Sequence, residues 1–313
     1  MKLGFLFPGQ GSQNVGMGKD IYKEHESVRK IYNYVKKLTC IDIAKLSFEG
    51  PEDILNQTKN TQLAILTMSL GILEILKQEN IYATISAGLS LGEYTALIYS
   101  KVFSLEEGIK IVQKRGEYMQ NLLPEGKWQM AAVIGLNEKQ VEEICRQVKL
   151  GFVVPANYNC TGQIAISGEE QAVLEAEQIA KQMGAKRVVE LKTAGPFHTE
   201  KLVKSSNALR KELENIKINK FETKVIKNLD GEIYKDTDNI KDILAKHIIS
   251  PVRFSKTLEN MVLSGVDTFV EIGPGKTLTS FVKRTKINKE IQTLNINDNL
   301  SLKEAIRFLK GEK

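Results

Sequence analysis

The pentapeptide Gly88-Leu89-Ser90-Leu91-Gly92 sets one hydroxyl between two residues that have no side chain. This is the G-x-S-x-G spacing, in which a strand turns sharply into a helix and exposes a serine at the turn. The chemistry it permits is attack on an acyl carbon, with the acyl group then held as a serine ester. Gly88 and Gly92 leave space around a strained nucleophile. A serine at a helix N-terminus also lies beside free N–H groups that can hold a developing oxyanion. A plain Gly/Ser turn in an α/β protein would look the same, so the reading needs a base. The chain has three histidines, His25, His198 and His247. His25, among Lys23, Glu24 and Glu26, reads as a solvent-facing position on a helix. His198 follows Gly195-Pro196-Phe197 at the edge of what reads as an inserted domain, and domain junctions are common sites of clefts. An imidazole titrates near the working pH and suits proton transfer in both directions. Spacing alone marks no acid partner for it. Arg115, taken alone, reads as a surface ion pair on a helix with Glu117 or Glu107.

Two other glycine-bearing loops invite nucleotide chemistry and fail its requirements. Gly9-Gln10-Gly11-Ser12-Gln13 follows an apolar run, but Asn14 stands where G-x-G-x-x-G needs its third glycine. Glu271-Ile272-Gly273-Pro274-Gly275-Lys276-Thr277 ends like a phosphate-binding loop, but Val270 replaces the first glycine of that motif. Both read as tight loops at strand ends, where an α/β fold places its site.

The elements that must hold these residues follow from periodicity. Leu3–Phe7 reads as a central strand and Leu63–Lys77 as a buried helix. Ala83–Ala87 reads as a strand broken by Gly88, and Glu93–Ser100 and Leu105–Gln120 as helices. Alternating strands and helices imply an α/β fold with a parallel sheet. The middle of the chain changes order. Met130–Ile134 is strand-like, Glu138–Val148 helical, Phe152–Ala156 and Ile164–Ser167 strand-like around a turn-rich Asn157–Gly162. Glu169–Met183 is helical up to Gly184, and Arg187–Leu191 is strand-like. That β-α-β-β-α-β order is ferredoxin-like. Residues 126–193 are therefore expected to be an inserted ferredoxin-like subdomain in a core of residues 1–125 and 194–313. The core resumes with Thr199–Ile216 and Asp238–His247 as helices, Lys224–Asn228 and Thr268–Ile272 as strands, and a last amphipathic helix from Ser301.

Composition sets the bounds. Across 313 residues, 42% are hydrophobic and 26% charged, which suits a globular domain with a sizeable core. The apolar run at the N-terminus is too short for a signal peptide or a membrane span. Cys40, Cys145 and Cys160 are few and scattered, so neither a disulfide framework nor a zinc site is indicated, and a cytoplasmic setting fits. The net charge of +6 permits an acidic partner.

In order along the chain, the motifs resemble those of the malonyl-CoA:acyl carrier protein transacylases, the enzymes that load malonate for fatty acid synthesis. The resemblance runs from Phe7-Pro8-Gly9-Gln10-Gly11-Ser12-Gln13 through Ala87-Gly88-Leu89-Ser90-Leu91-Gly92-Glu93-Tyr94 and Lys114-Arg115-Gly116. It continues through Asn157-Tyr158-Asn159 and Gly195-Pro196-Phe197-His198 to Glu271-Ile272-Gly273-Pro274-Gly275. It implies a hydrolase-like α/β core with a ferredoxin-like insert. It implies Ser90 as nucleophile, His198 as base, and the backbone N–H groups of Gln10 and Leu91 as the oxyanion hole. Arg115 would pair with the free carboxylate of malonate. The backbone carbonyl of His247 would accept from His198, and Asn159 would order the cleft through hydrogen bonds. Malonyl-CoA is the implied substrate, acyl carrier protein the implied partner, with no permanently bound cofactor or metal. A cytoplasmic monomer without nucleic-acid or membrane binding is expected. The family usually carries a histidine where Leu89 stands, so a polar contact beside the nucleophile is lost. Phe197 stands where several relatives have a small residue, and its ring would crowd an α-methyl branch. In related polyketide acyltransferases, a phenylalanine here accompanies malonyl. Competing readings are a serine hydrolase, a non-catalytic carrier-docking module and an acyltransferase of a polyketide pathway. A basic docking surface is expected from Lys186, Arg187, Lys192, Lys283, Arg284 and Lys286.

Overall fold

The structure, a computed structural model, describes residues 1–191, 195–285 and 290–312. Lys192, Lys286 and the junction at residues 192–194, where the insert was expected to end, lie outside the described residues.

Among the described residues nine strands form two sheets. The parallel sheet contains β1 (Leu3–Phe7), β2 (Ile85–Gly88), β7 (Lys224–Val225), β8 (Thr268–Ile272) and β9 (Gln292–Ile296), in the order β7-β2-β1-β8-β9. β1 is central, pairing Phe7 with Gly88 on one side and Leu6 with Glu271 on the other. Its Gly-Phe-Leu-Phe run is wholly buried, as expected where helices cover both faces of a parallel sheet. All strands of this sheet point the same way. The loops after β1, β2 and β8, the three that the sequence singled out, therefore open at one end.

The Thr58–Gln78 helix is almost entirely buried and is pinned to β8 by Ser69 Oγ, which donates to the Ile272 carbonyl at 2.8 Å. It packs against the Leu105–Asn121 helix, which starts in a capping box of Ser104 and Glu107. Gly116 makes the approach possible: a Cβ there would lie 2.7 Å from Lys59 Cα. Arg115, beside that glycine, shares the buried face with Ile111, Val112 and Met119.

The second sheet is antiparallel and contains β3 (Trp128–Ile134), β4 (Val153–Cys160), β5 (Gln163–Glu169) and β6 (Arg187–Leu191), in the order β4-β5-β3-β6. With the helices Glu138–Gln147 and Glu170–Gln182 this is the ferredoxin-like arrangement read from the sequence. Period-2 alternation divides its residues. Ala131 and Val133 pack with Val141, Ile144 and Val173 under the two helices. Met130 and Ala132 face the parallel-sheet core. A bridge between Asn157 and Val252 stitches β4 to the core, with Tyr158 N–H donating to the Val252 carbonyl at 2.8 Å.

Several expectations are corrected. Asn157–Gly162 is not a turn: β4 runs on to Cys160 through two irregularities, and the turn is only Thr161 and Gly162. Asn and Tyr favour extended backbone here because Asn157 pairs both with Ala165 and with Val252. The strand expected over Lys224–Asn228 shrinks to Lys224–Val225. His25 lies between the helices Lys19–Glu24 and Glu26–Thr39 rather than on one, half-buried, with Nε2 3.2 Å from Asn299 Oδ1. β9 and the helices Phe254–Leu263 and Thr277–Arg284 were not anticipated. β9 has polar alternate residues at a sheet edge, which leaves no apolar run to detect. Among the described residues no helix is long and apolar enough to cross a membrane.

Candidate active site

Ser90 occupies the sharp turn between β2 and the Gly92–Tyr99 helix, with φ +53° in the left-handed region. That conformation costs a non-glycine residue about 1–2 kcal/mol and persists only where the surroundings impose it. They do so through contact. A Cβ at Gly92 would lie 2.0 Å from the Phe7 carbonyl oxygen, and one at Gly88 2.1 Å from the Gly92 carbonyl carbon. One at Gly9 would lie 2.5 Å from the Leu89 carbonyl oxygen, so the loop after β1 is pressed directly onto the elbow. Asn228, just past β7, clasps the turn from behind. Its Oδ1 accepts from Ser90 N–H at 2.7 Å and its Nδ2 donates to the Gly88 carbonyl at 2.7 Å.

His198 also has a left-handed backbone, φ +59°. Its Nε2 lies 2.8 Å from Ser90 Oγ and its Nδ1 3.1 Å from the His247 carbonyl oxygen. A carbonyl only accepts, so Nδ1 carries the proton and Nε2 is free to take one from Ser90. Burial, and secondarily the Arg115 charge, push the His198 pKa down to about 4, while hydrogen bonding to the backbone of His247 and Ser250 opposes them. The imidazole is therefore neutral at physiological pH, the form that accepts a proton. The His247 ring stacks against it at 4.8 Å between centroids.

Arg115 is 1% exposed, not a surface cation as its local charges suggested. Its Nη2 donates to Ser90 Oγ at 2.9 Å and its Nη1 to Gln62 Oε1 at 2.6 Å, with the Tyr94 ring 5.2 Å from the guanidinium carbon. Desolvation lowers its pKa, with Tyr94 and Glu93 acting the other way. Among the described residues no carboxylate pairs with it within 4.0 Å. Lys114 and Glu117 pair with each other instead.

Ser90, His198, Arg115 and Gln62 line a cleft of about 270 Å³ between the two sheets. Gln10 and Leu91 form one wall. Gln10 Nε2 donates to Thr58 Oγ1 at 3.3 Å, and Leu91 is the N-terminal cap of the Gly92–Tyr99 helix, so its N–H faces no preceding turn. Phe197, 5% exposed, is another wall. From the insert come Asn159, Met130, Ala132 and Leu191. Asn159 is buried, and among the described residues its Oδ1 has no hydrogen-bond partner. Leu89 also borders the cleft. A larger groove of about 730 Å³, bordered by Tyr82, Tyr99 and Phe103, lies elsewhere and contains none of these residues.

The Gly273-Pro274-Gly275-Lys276-Thr277 loop has a structural explanation. Glu271, at the end of β8, accepts from the N–H groups of Leu278 and Thr279 at 3.0 and 2.8 Å and so caps the next helix. Thr277, Leu278 and Phe281 of that helix close the cleft floor.

The family described as "Acyl transferase domain" matches residues 4–301. A malonyl CoA-acyl carrier protein transacylase of Bacillus subtilis (strain 168) is 37% identical over 313 residues, covering 99% of this chain and 98% of the relative. The chain belongs to the malonyl CoA-acyl carrier protein transacylase family. Solved structures agree. The transacylase of Clostridium perfringens superposes with a TM-score of 0.94 at 43% identity, covering 99% of this chain and 98% of that one. A malonyl-transacylase solved in complex with its type II PKS acyl-carrier protein gives 0.94 at 33% identity, covering 98% of this chain and all of that one.

Sequence reasoning missed two residues of the site. Gln62, the acceptor for Arg115, was visible only as a polar residue inside an apolar helical run. Asn228 gave no signal, since its role depends on β7 lying next to β2.

Proposed function

We propose that the chain transfers malonyl from coenzyme A to the thiol of an acyl carrier protein through a Ser90 ester. Ser90 Oγ attacks the thioester carbonyl carbon as its proton passes to His198 Nε2. The tetrahedral oxyanion rests on the Gln10 and Leu91 N–H groups. Its collapse breaks the C–S bond, and the coenzyme A sulfur leaves with the proton from His198. The carrier thiol then gives its proton to His198 and attacks the ester, and Ser90 leaves with that proton. The observation that carries the malonyl assignment is Arg115: a buried cation 2.9 Å from the nucleophile whose two hydrogen-bonded partners are both neutral. The guanidinium fork can bind a carboxylate with two charge-assisted hydrogen bonds, whereas a hydrolase of neutral esters has no use for a buried cation here. Phe197 at the cleft wall leaves less room for an α-branch, in keeping with malonyl. The names of its relatives support the reading, and fatty acid synthesis is the pathway it fits. The deciding experiment is intact-mass measurement after incubation with malonyl-CoA, followed by peptide mapping. A malonyl adduct on the Ser90 peptide supports transfer. Steady release of free malonate without a carrier would make the protein a hydrolase.

In this reading His247 acts through its main chain. His247→Gln keeps the carbonyl that His198 uses, and most of the transfer activity is expected to survive. A loss as large as that of His198→Ala would give the ring itself a role and remove this division.

The carrier is expected to dock by charge. Lys186, Arg187, Lys283 and Arg284 are exposed. Arg284 Nη1 donates to Gln163 Oε1 at 2.7 Å, and Gln163 borders the cleft, which puts this charge at its mouth. The KM for carrier protein should rise with salt, and rise further in Arg187→Glu and Arg284→Glu. A KM that stays flat in both series excludes electrostatic docking.

A further inference from the structure

Glu93 is fully buried on the Gly92–Tyr99 helix, just past the nucleophile. Its Oε1 accepts from the Tyr234 hydroxyl at 2.6 Å, and its Oε2 from the backbone N–H of Asn228 at 3.3 Å. Asn228 is the residue whose carboxamide clasps Gly88 and Ser90. His247 Nδ1 lies 3.2 Å from Glu93 Oε2 without forming a hydrogen bond. The His247 ring stacks on His198, and the His247 carbonyl accepts the hydrogen bond from His198 Nδ1. The carboxyl thus stands one residue away from both members of the Ser90–His198 pair. Desolvation raises its pKa to about 7, with Tyr234, Asn228 and Arg115 acting in the opposite sense and Asp230 in the same sense.

A buried carboxyl is costly unless specific partners satisfy it. Two of its closest neighbours here, Asn228 and His247, bear directly on the elbow and the base, while Tyr234 only fixes the carboxyl in place. Arg115, which binds through Gln62 and Ser90, is not hydrogen-bonded to it. We infer that Glu93 is a positioning residue for acyl transfer, holding Asn228 behind the Ser90 elbow while packing against the His247 ring that stacks on His198. The inference rests on the reading that Ser90 and His198 perform the reaction. It assigns Glu93 to the alignment of the chemistry and not to the binding of the malonyl carboxylate.

The test uses two readouts on the full chain. One is kcat and KM for malonyl-CoA with carrier protein. The other is the rate at which phenylmethanesulfonyl fluoride sulfonylates Ser90, in which Oγ attacks sulfur, fluoride leaves and His198 takes the proton. Glu93→Ala leaves Asn228 N–H and Tyr234 O–H without their acceptor. Both kcat and the sulfonylation rate should fall by about 10²-fold, the usual cost of misplacing reacting groups by an ångström, while KM for malonyl-CoA does not rise. Glu93→Gln should recover most of both, because its amide can accept from Asn228 and donate to the Tyr234 oxygen. Adding Asn228→Ala to Glu93→Ala should cost little more, because Glu93 holds the Asn228 backbone and reaches the elbow only through the Asn228 carboxamide that this change removes. If Glu93→Ala does not fold, Tyr234→Phe takes its place and should lower kcat with KM unchanged. The inference is overturned by an unchanged kcat in a folded Glu93→Ala or in Tyr234→Phe. A matching rise in KM, no recovery in Glu93→Gln, or additive losses with Asn228→Ala also overturn it. Sulfonylation needs no acyl substrate. A wild type that is sulfonylated but transfers no malonyl therefore defeats the substrate reading and leaves Glu93 to be judged on sulfonylation alone.

Discussion

Ser90→Ala should abolish the malonyl adduct and reduce transfer to the detection limit, and His198→Ala should lower transfer by a factor on the order of 10² to 10⁴. The two losses arise from one contact, Oγ to Nε2 at 2.8 Å. Without Oγ there is no acceptor for the acyl group. Without Nε2 the hydroxyl must attack while still holding its proton, and the departing thiol leaves without one. The fold should survive both changes. Alanine pays the same left-handed backbone cost at φ +53° as serine does. The Asn228 clasp reaches only the backbone at Gly88 and Ser90, so it does not depend on the side chain. Circular dichroism and melting temperature should therefore match wild type for Ser90→Ala while the adduct is gone. An adduct of malonyl mass on any other residue of that variant would show that the nucleophile has been misassigned.

What could be read from the sequence follows the range of the interactions involved. The elbow was legible because its geometry is local: Gly88 and Gly92 are required by backbone within a few residues and by one neighbouring strand. The insert was legible because strand and helix periods mark each of its elements. Arg115 was not legible from its neighbours. Lys114 and Glu117 do form the surface pair that such a helix suggests, and only the Gly116–Lys59 approach turns Arg115 inward toward Gln62. The resemblance, not the spacing, assigned it a substrate role. The same contrast explains Asn157–Gly162. Its composition is that of a turn, but pairing with β5 and with Val252 extends it, and that places Asn159 on the cleft. Asn228 and Glu93 lie beyond any local pattern, because the contacts that give them meaning join β2, the segment after β7 and the Ile240–Ile248 helix.

Arg115→Ala should lower malonyl transfer far more than acetyl transfer, and the ratio of the two rates is the quantity to measure. Malonyl differs from acetyl by one carboxylate, and a cleft that takes this group from water must replace its hydration. The guanidinium is already desolvated and rigidly held by Gln62 at 2.6 Å, so little ordering remains to be paid when the carboxylate arrives. Leaving a buried charge without its partner typically costs about 2–5 kcal/mol. Malonyl transfer should fall by that amount, a factor of roughly thirty to several thousand. The Nη2 contact to Ser90 Oγ disappears as well, but that loss acts on the nucleophile and falls equally on both substrates. It cancels in the ratio, whereas the lost carboxylate partner does not. Preference for malonyl over acetyl should therefore collapse or invert. Arg115→Lys should restore it only in part, since an ammonium keeps the charge but cannot hold Gln62 and the carboxylate in one planar fork. Transfer from malonyl-CoA and from acetyl-CoA to one carrier protein, by wild type and both variants, checks this directly. If both rates fall in parallel, Arg115 serves the nucleophile or the packing over Tyr94, and selection for an acidic acyl group must come from elsewhere in the cleft.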